Sequence, residues 1–311
     1  MQLTDARTLS LPGGQVFGLA EYGDPRGLPV LALHGAPACR LMFAGAHQAA
    51  RKAGLRLIAP DRPGYGLTPL DQAPSLESRA DWLERVVNVL GLERFAILAV
   101  SGGGPYGVAL AARLGGRITA LGLVSPMGPL VDFLSSAPHA KSAVPFLPRR
   151  LFLHLTRRSY FPPLTRAGVR FYMAMPRGVG AILPVLVRDP DAEILRRPEV
   201  RALLLPMTQE ALRSGADGFI QDLKIFGEAW EVDFCAITAP GILWQGTGDR
   251  VVPVGASRFL AAQLSNCDFR ELKGAGHFWV FAQFDQIVGE LRKMILADLK
   301  NRDGSGGRRQ T

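Results

Sequence analysis

A lone serine stands where an apolar run gives way to small residues, in Leu98-Ala99-Val100-Ser101-Gly102-Gly103-Gly104. A serine between a buried strand and a helix sits on a tight turn with an unfavourable backbone, and Gly103 lets the helix approach the strand. Its hydroxyl is pushed out at the C-terminal edge of the sheet, beside the N–H donors of the helix start. A serine hydroxyl is a poor nucleophile at neutral pH, so it needs a base, and the base needs an orienting group. Of five histidines, His277 lies in Gly274-Ala275-Gly276-His277-Phe278, after the last predicted strand, where an imidazole can turn back over the sheet edge. Asp249, in Gly246-Thr247-Gly248-Asp249-Arg250, also follows directly on a predicted strand. His34-Gly35-Ala36-Pro37 follows an earlier one, and the N–H groups of Ala36 and Gly102 can both point at a developing oxyanion.

Each of these residues has a plainer role to weigh against the chemical one. Ser101 could cap a helix, Asp249 could cap its own turn, and His277 could be a satisfied structural histidine. Their joint placement on three post-strand loops favours the chemical reading. His47, His139 and His154 have no motif around them and read as surface or lid residues, and Asp61 reads as a turn-stabilising acceptor. Gly102 to Gly104 suggest a phosphate loop only superficially, since no Gly-Lys-Ser/Thr follows.

The elements that must position these groups read as strands alternating with helices. Thr8 to Leu11 and Gln15 to Ala20 are short strands around a turn. Val30 to Leu33, Leu55 to Ala59, Phe95 to Val100 and Ile118 to Val124 are continuous apolar runs, as expected of strands buried on both faces. Helices are expected from about Leu41 to Ala53, from an N-cap at Ser75 to Leu90, and from Gly102 to Leu114. The pattern predicts an α/β fold with a mostly parallel sheet covered on both faces. From about Pro126 to Trp230 it gives way to helical, Pro-punctuated text, then resumes with a strand from Ile237 to Gln245, a helix from about Val254 to Leu264, a strand around Phe269 to Leu272 and a helix from about Phe281 to Leu299. We therefore expect a core of residues 1–126 and 231–299, a helical lid at 127–230, and a disordered basic tail at 300–311.

The 311 residues are 48% hydrophobic and 20% charged, which excludes a disordered chain. The net charge of +9 comes largely from the lid segment, with fourteen basic against nine acidic residues, and from the tail, with four against one. The core is close to neutral, so the charge is not a property of the candidate site. The lid arginines could solvate a helix face, meet anionic lipid or gate an acidic substrate. Cys39, Cys235 and Cys267 form neither a disulfide framework nor a zinc pattern, the N-terminus has no apolar signal region, and no stretch is long and apolar enough to span a membrane. A cytoplasmic protein is expected, with no nucleic-acid partner and no membrane contact; the oligomeric state is left open.

HGAP at 34–37, DRPGYG at 61–66, VSGGGPYG at 100–107, GTGD at 246–249 and GAGH at 274–277 together resemble the α/β-hydrolase superfamily, from about Arg7 to Leu299. Within the lid segment, Glu210-Ala211 followed by Gly215, Gly218, Asp222 and Trp230 resembles a group of its bacterial members. The resemblance implies the α/β-hydrolase fold with an inserted helical lid and a serine hydrolase with Ser101 as nucleophile, His277 as base and Asp249 as acid. Ala36 and Gly102 would form the oxyanion hole, without a metal or organic cofactor. Asp132 is the alternative acid, at a location some members use. Ala99 departs from the family's G-x-S-x-G pattern, where the first glycine would stand, and its methyl must be accommodated at the elbow. The nucleophile is Ser and not Asp, which argues against the related dehalogenases and epoxide hydrolases. Phe278 and Trp279, beside the base, and the lid aromatics Phe133, Phe152, Phe161, Phe171 and Tyr172 suggest a small to medium hydrophobic carboxylic ester as substrate. C–C bond or amide hydrolysis, and a small-molecule binding protein on the same fold, are the alternatives.

Overall fold

The computed structural model describes residues 7–306 except 73, 137–142, 145–146, 179–181, 183–184, 186, 188 and 253. Strand side chains point alternately to opposite faces, and here both faces are covered. In β3 (Leu28–Leu33), Val30 and Ala32 enter one apolar layer while Leu31 and Leu33 enter the other. In β5 (Phe95–Val100), Ala96, Leu98 and Val100 part from Phe95, Ile97 and Ala99 in the same way. That division is why these strands read as unbroken apolar runs.

The remaining strands of the main sheet are β1 (Arg7–Ser10), β2 (Val16–Gly23), β4 (Leu55–Pro60), β6 (Ile118–Val124), β9 (Gly241–Gly246) and β10 (Cys267–Leu272), while β7 (Ala143–Val144) and β8 (Leu147–Pro148) pair apart from it. The order is β1-β2-β4-β3-β5-β6-β9-β10, antiparallel at β1/β2 and β2/β4 and parallel thereafter. β9 begins at Gly241 and not at Ile237, because Pro240 has no N–H for the ladder and a 3-10 turn at Phe234–Ala236 precedes it. One face is packed by α1 (His47–Lys52) and by the C-terminal helix α11 (Phe284–Gly306), through Ala49, Ala50, Ile287, Val288, Leu291 and Ile295. The other is packed by α2 (Leu76–Val89), α3 (Gly104–Leu114) and α10 (Val254–Gln263). Ser75 caps α2 as expected, in a reciprocal box with Ser78. α11 continues through Lys300 to Gly306, where a disordered tail was expected from 300; residues 307–311 lie outside the described ones.

Between β6 and β9 lie α4 (Leu130–Ser136), α5 (Arg149–Thr156), α6 (Phe161–Ala174), α7 (Asp191–Arg196), α8 (Pro198–Ala211) and α9 (Asp217–Ile225). α6 has no buried residue, whereas α7, α8 and α9 bury Asp191, Leu195, Val200, Leu203, Met207 and Asp222 among others. No helix among the described residues is long and apolar enough to cross a membrane.

Candidate active site

β5 ends at Val100, and a single 3-10 turn, Ser101–Gly103, turns it into α3. Ser101 takes φ +52°, in the left-handed region that a side chain rarely adopts, as the tight turn requires. A Cβ at Gly103 would strike the carbonyls of Leu33 and His34, so glycine there lets the turn sit directly on the end of β3. The Ala99 methyl meets α3 at Gly107, where a Cβ would stand 2.8 Å from that of Ala99. The helix thus gives up the methyl that the strand carries.

Three loops at this edge bring the sequence-predicted residues together. The Oγ of Ser101 lies 2.9 Å from Nε2 of His277, and Nδ1 of His277 lies 2.8 Å from Oδ2 of Asp249. Oδ1 of Asp249 accepts from the N–H groups of Val251 and Val252, and Oδ2 also accepts from Nε2 of Gln245, whose Oε1 accepts from the hydroxyl of Ser257. Sequence reading did not single out Gln245, a fully buried polar residue at the end of β9. Burial pushes the His277 imidazole down, but the charge and hydrogen bond of Asp249, with the charge of Asp191, outweigh it and leave the histidine above its ordinary value. The imidazole is thus poised to accept a proton from Ser101 and to be held as imidazolium. Asp132 lies on α4 and receives a long contact, 3.5 Å, from the N–H of Trp230, and the carboxylate that meets the imidazole is that of Asp249.

Ala36 and Gly102 face each other beside Ser101, with a Gly102 Cβ position 3.2 Å from the Ala36 nitrogen. The loop that carries Ala36 is held by Arg62, whose guanidinium donates to the carbonyl oxygens of His34 and Gly35. It lies over the rings of Tyr65 and Tyr106 and pairs with Asp222 of α9 at 2.6 Å. Both tyrosine hydroxyls donate to the same carboxylate, at 2.8 and 2.6 Å. Burial first, and the Asp222 charge second, push both phenols well above their usual range. His34 is held neutral by burial and by Arg62, and its Nε2 accepts from the N–H of Arg62.

Asp61 has the turn role expected of it, accepting from the backbone of Arg40 and Leu67 and from the Arg40 guanidinium. Arg40 also reaches Glu210 of α8 at 2.8 Å. The pattern noticed in the inserted segment therefore has a physical meaning. Glu210 pairs with Arg40, the carbonyl of Ala211 accepts from Gly66, and Asp222 meets Arg62 and Tyr65. A Cβ at Gly218 would fall on the backbone of Gly64. Three of these contacts fall on the DRPGYG loop itself and the fourth on Arg40, which that loop's Asp61 holds.

Ser101 and His277 open on a cavity of about 470 Å³ lined by Met42, Leu130, Phe152, Leu204, Met207, Phe219, Leu223, Phe226, Phe278 and Phe281 among others. No Arg, Lys, Asp or Glu is among its described lining residues. Phe278 lines this cavity as expected, but Trp279 does not. Trp279 is buried in the apolar layer against the sheet, its indole N–H donating to Ser125, because the 3-10 turn Phe278–Ala282 sends successive side chains in different directions. Of the lid aromatics, Phe152 lines the cavity, Phe133 packs on Phe259, and Phe171 is exposed. His47 accepts from Gly23, His154 pairs with Arg158 on the surface, and His139 lies outside the described residues. Among the described residues no cluster of three or more His, Cys, Asp or Glu is arranged to hold a metal ion.

A family model described as the alpha/beta hydrolase family matches residues 30–290. The uncharacterized hydrolase YcgS of Bacillus subtilis (strain 168) is 31% identical over 120 residues, which span 38% of this chain and 40% of that protein. The 2-hydroxymuconate semialdehyde hydrolase of Pseudomonas putida is 25% identical over 299 residues, 93% of each chain. Among solved structures, the esterase from Exiguobacterium antarcticum superposes with a TM-score of 0.68 at 17% identity, covering 94% of this chain and 100% of the other, a likeness of fold.

Proposed function

The chain belongs to the alpha/beta hydrolase family, and from that premise we propose that it is a serine hydrolase acting through an acyl-enzyme on small to medium hydrophobic carboxylic esters. The observation that carries this reading is the unbroken hydrogen-bond chain from Ser101 through His277 to Asp249 at the wall of an apolar cavity. Ser101 Oγ attacks the ester carbonyl while Nε2 of His277 takes its proton, and Asp249 holds the tautomer and stabilises the imidazolium. The N–H groups of Ala36 and Gly102 receive the oxyanion, each contributing about 3 kcal/mol by analogy with other such donors. The C–O bond to the leaving alcohol then breaks as His277 returns the proton to it. Water, deprotonated by His277, opens the ester of Ser101.

The ester preference follows from the walls. A cavity whose described lining carries no cation favours an uncharged acyl group, since a carboxylate buried there would lack a partner. None of the described lid arginines lines this cavity, which supports an uncharged acyl group over an acidic one. Of the alternatives, carbon–carbon or amide hydrolysis by the same three residues, the first is favoured by the full-length relative named for 2-hydroxymuconate semialdehyde, a molecule with neither an ester nor an amide to cleave.

Fluorophosphonate labelling tests the mechanism: the native protein takes the label and Ser101→Ala does not, while a folded native protein that stays unlabelled defeats the reading. A chain-length series of nitrophenyl esters, run beside 2-hydroxymuconate semialdehyde and an aryl amide, tests the substrate. The ester reading requires kcat/KM to rise with acyl length and to exceed that for both rivals.

A further inference from the structure

The mechanism uses Asp249 and leaves unused a second buried carboxylate beside the same histidine. Asp191 opens α7, in the inserted segment, and is 3% exposed. Its Oδ1 accepts from the N–H of Phe278 at 2.8 Å, and the N–H of His277 points to the same carboxylate. The histidine loop is shaped around it, since a Cβ at Gly276 would fall on the Asp191 carboxylate. Beside Asp249, a Cβ at Gly248 would come within 3.3 Å of the Pro190 ring. Burying a carboxylate this deeply is costly, and the partners that offset the cost are the main-chain amides of the histidine loop, 87 positions away.

We propose that Asp191 is a positioning residue for His277, gripping the main chain of the histidine loop from the inserted helices while Asp249 orients the ring from the core. This rests on the catalytic reading above. The imidazole is held from two sides, by its ring nitrogen and by its own backbone, which fixes Nε2 against Ser101 as a proton transfer requires. The groups facing the imidazole are Ser101, Asp249 and Asp191, and those facing Asp191 are His277 and, at longer range, Asp249.

The test compares Asp191→Ala with Asp191→Asn. Turnover of a nitrophenyl ester is expressed per site titrated with fluorophosphonate, so unfolded protein does not count. The His277 imidazole is titrated separately by nitrogen NMR. Asp191→Ala should lower kcat per titrated site by about 10- to 100-fold with KM changed by no more than about twofold, the size of effect a small misplacement of a catalytic group produces. Asp191→Asn keeps an oxygen acceptor for the two amides and should recover most of that loss. A negative charge that favours imidazolium is gone in Asp191→Asn, so the His277 titration and the acidic limb of kcat/KM should both move to lower pH. Wild-type kcat per titrated site in Asp191→Ala would overturn the proposal, as would an Asp191→Asn variant as impaired as Asp191→Ala. If the native protein takes no label, the catalytic reading fails by itself. Amide hydrogen exchange at His277 and Phe278 then still decides for Asp191, because protection unchanged in Asp191→Ala sinks it.

Discussion

The inserted segment divides into two halves that differ in how they meet the core. α7, α8 and α9 each send a carboxylate to the core around the candidate site: Asp191 to the histidine loop, Glu210 to Arg40, and Asp222 to Arg62. α6 buries no residue, leaves Leu164 and Phe171 68% and 59% exposed, and meets α9 through a surface pair, Arg166 with Asp217. The same stretch of sequence, read as one lid, thus contains a part that belongs to the architecture of the site and a part that rests on it. Charge at an exposed pair is screened and worth little, whereas a desolvated pair depends on its partner for several kcal/mol.

That contrast can be broken or sharpened by graded substitutions. The core sets the upper scale: Asp249→Asn should reduce kcat about 10⁴-fold while the fold persists, read as ester turnover against an unchanged circular dichroism spectrum. Asp222→Ala leaves Arg62 buried and unpaired and should cost about 3–5 kcal/mol in urea unfolding; a loss no greater than that of a surface pair would erase the distinction between the halves. Glu210→Ala removes one of the two carboxylates of Arg40, which keeps Asp61, and should cost about 1–2 kcal/mol by the same measurement. Arg166→Ala should change stability by less than about 0.5 kcal/mol, and a larger loss would show α6 to be as firmly held as its neighbours.

The fold and the candidate triad were legible for different reasons. Apolar runs at strand spacing marked the sheet, and Ser101, Asp249 and His277 each followed a run directly, so their convergence needed only the parallel order of β5, β9 and β10. The proposed oxyanion donors are named from the same kind of position, Ala36 after β3 and Gly102 after β5. What the sequence hid were pairings across long separations. Asp191 and Gln245 carry no local pattern, and their partners are set by how helices and strand ends meet. Asp222 and Glu210 stood in a recognisable pattern without a role, because the pattern records contacts with Arg62 and Arg40, 160 and 170 residues earlier. Trp279 was misread because adjacency to a base in sequence says nothing of direction inside a 3-10 turn.

The meeting of Ala99 with Gly107 bears on how such elbows are recognised at all. A literal glycine two places before the serine is one way of leaving room between strand and helix, and this chain leaves the same room from the helix side. The constraint is on a shared volume and not on a letter at one position. A signature written for the strand alone therefore describes only one side of a contact that the helix shares.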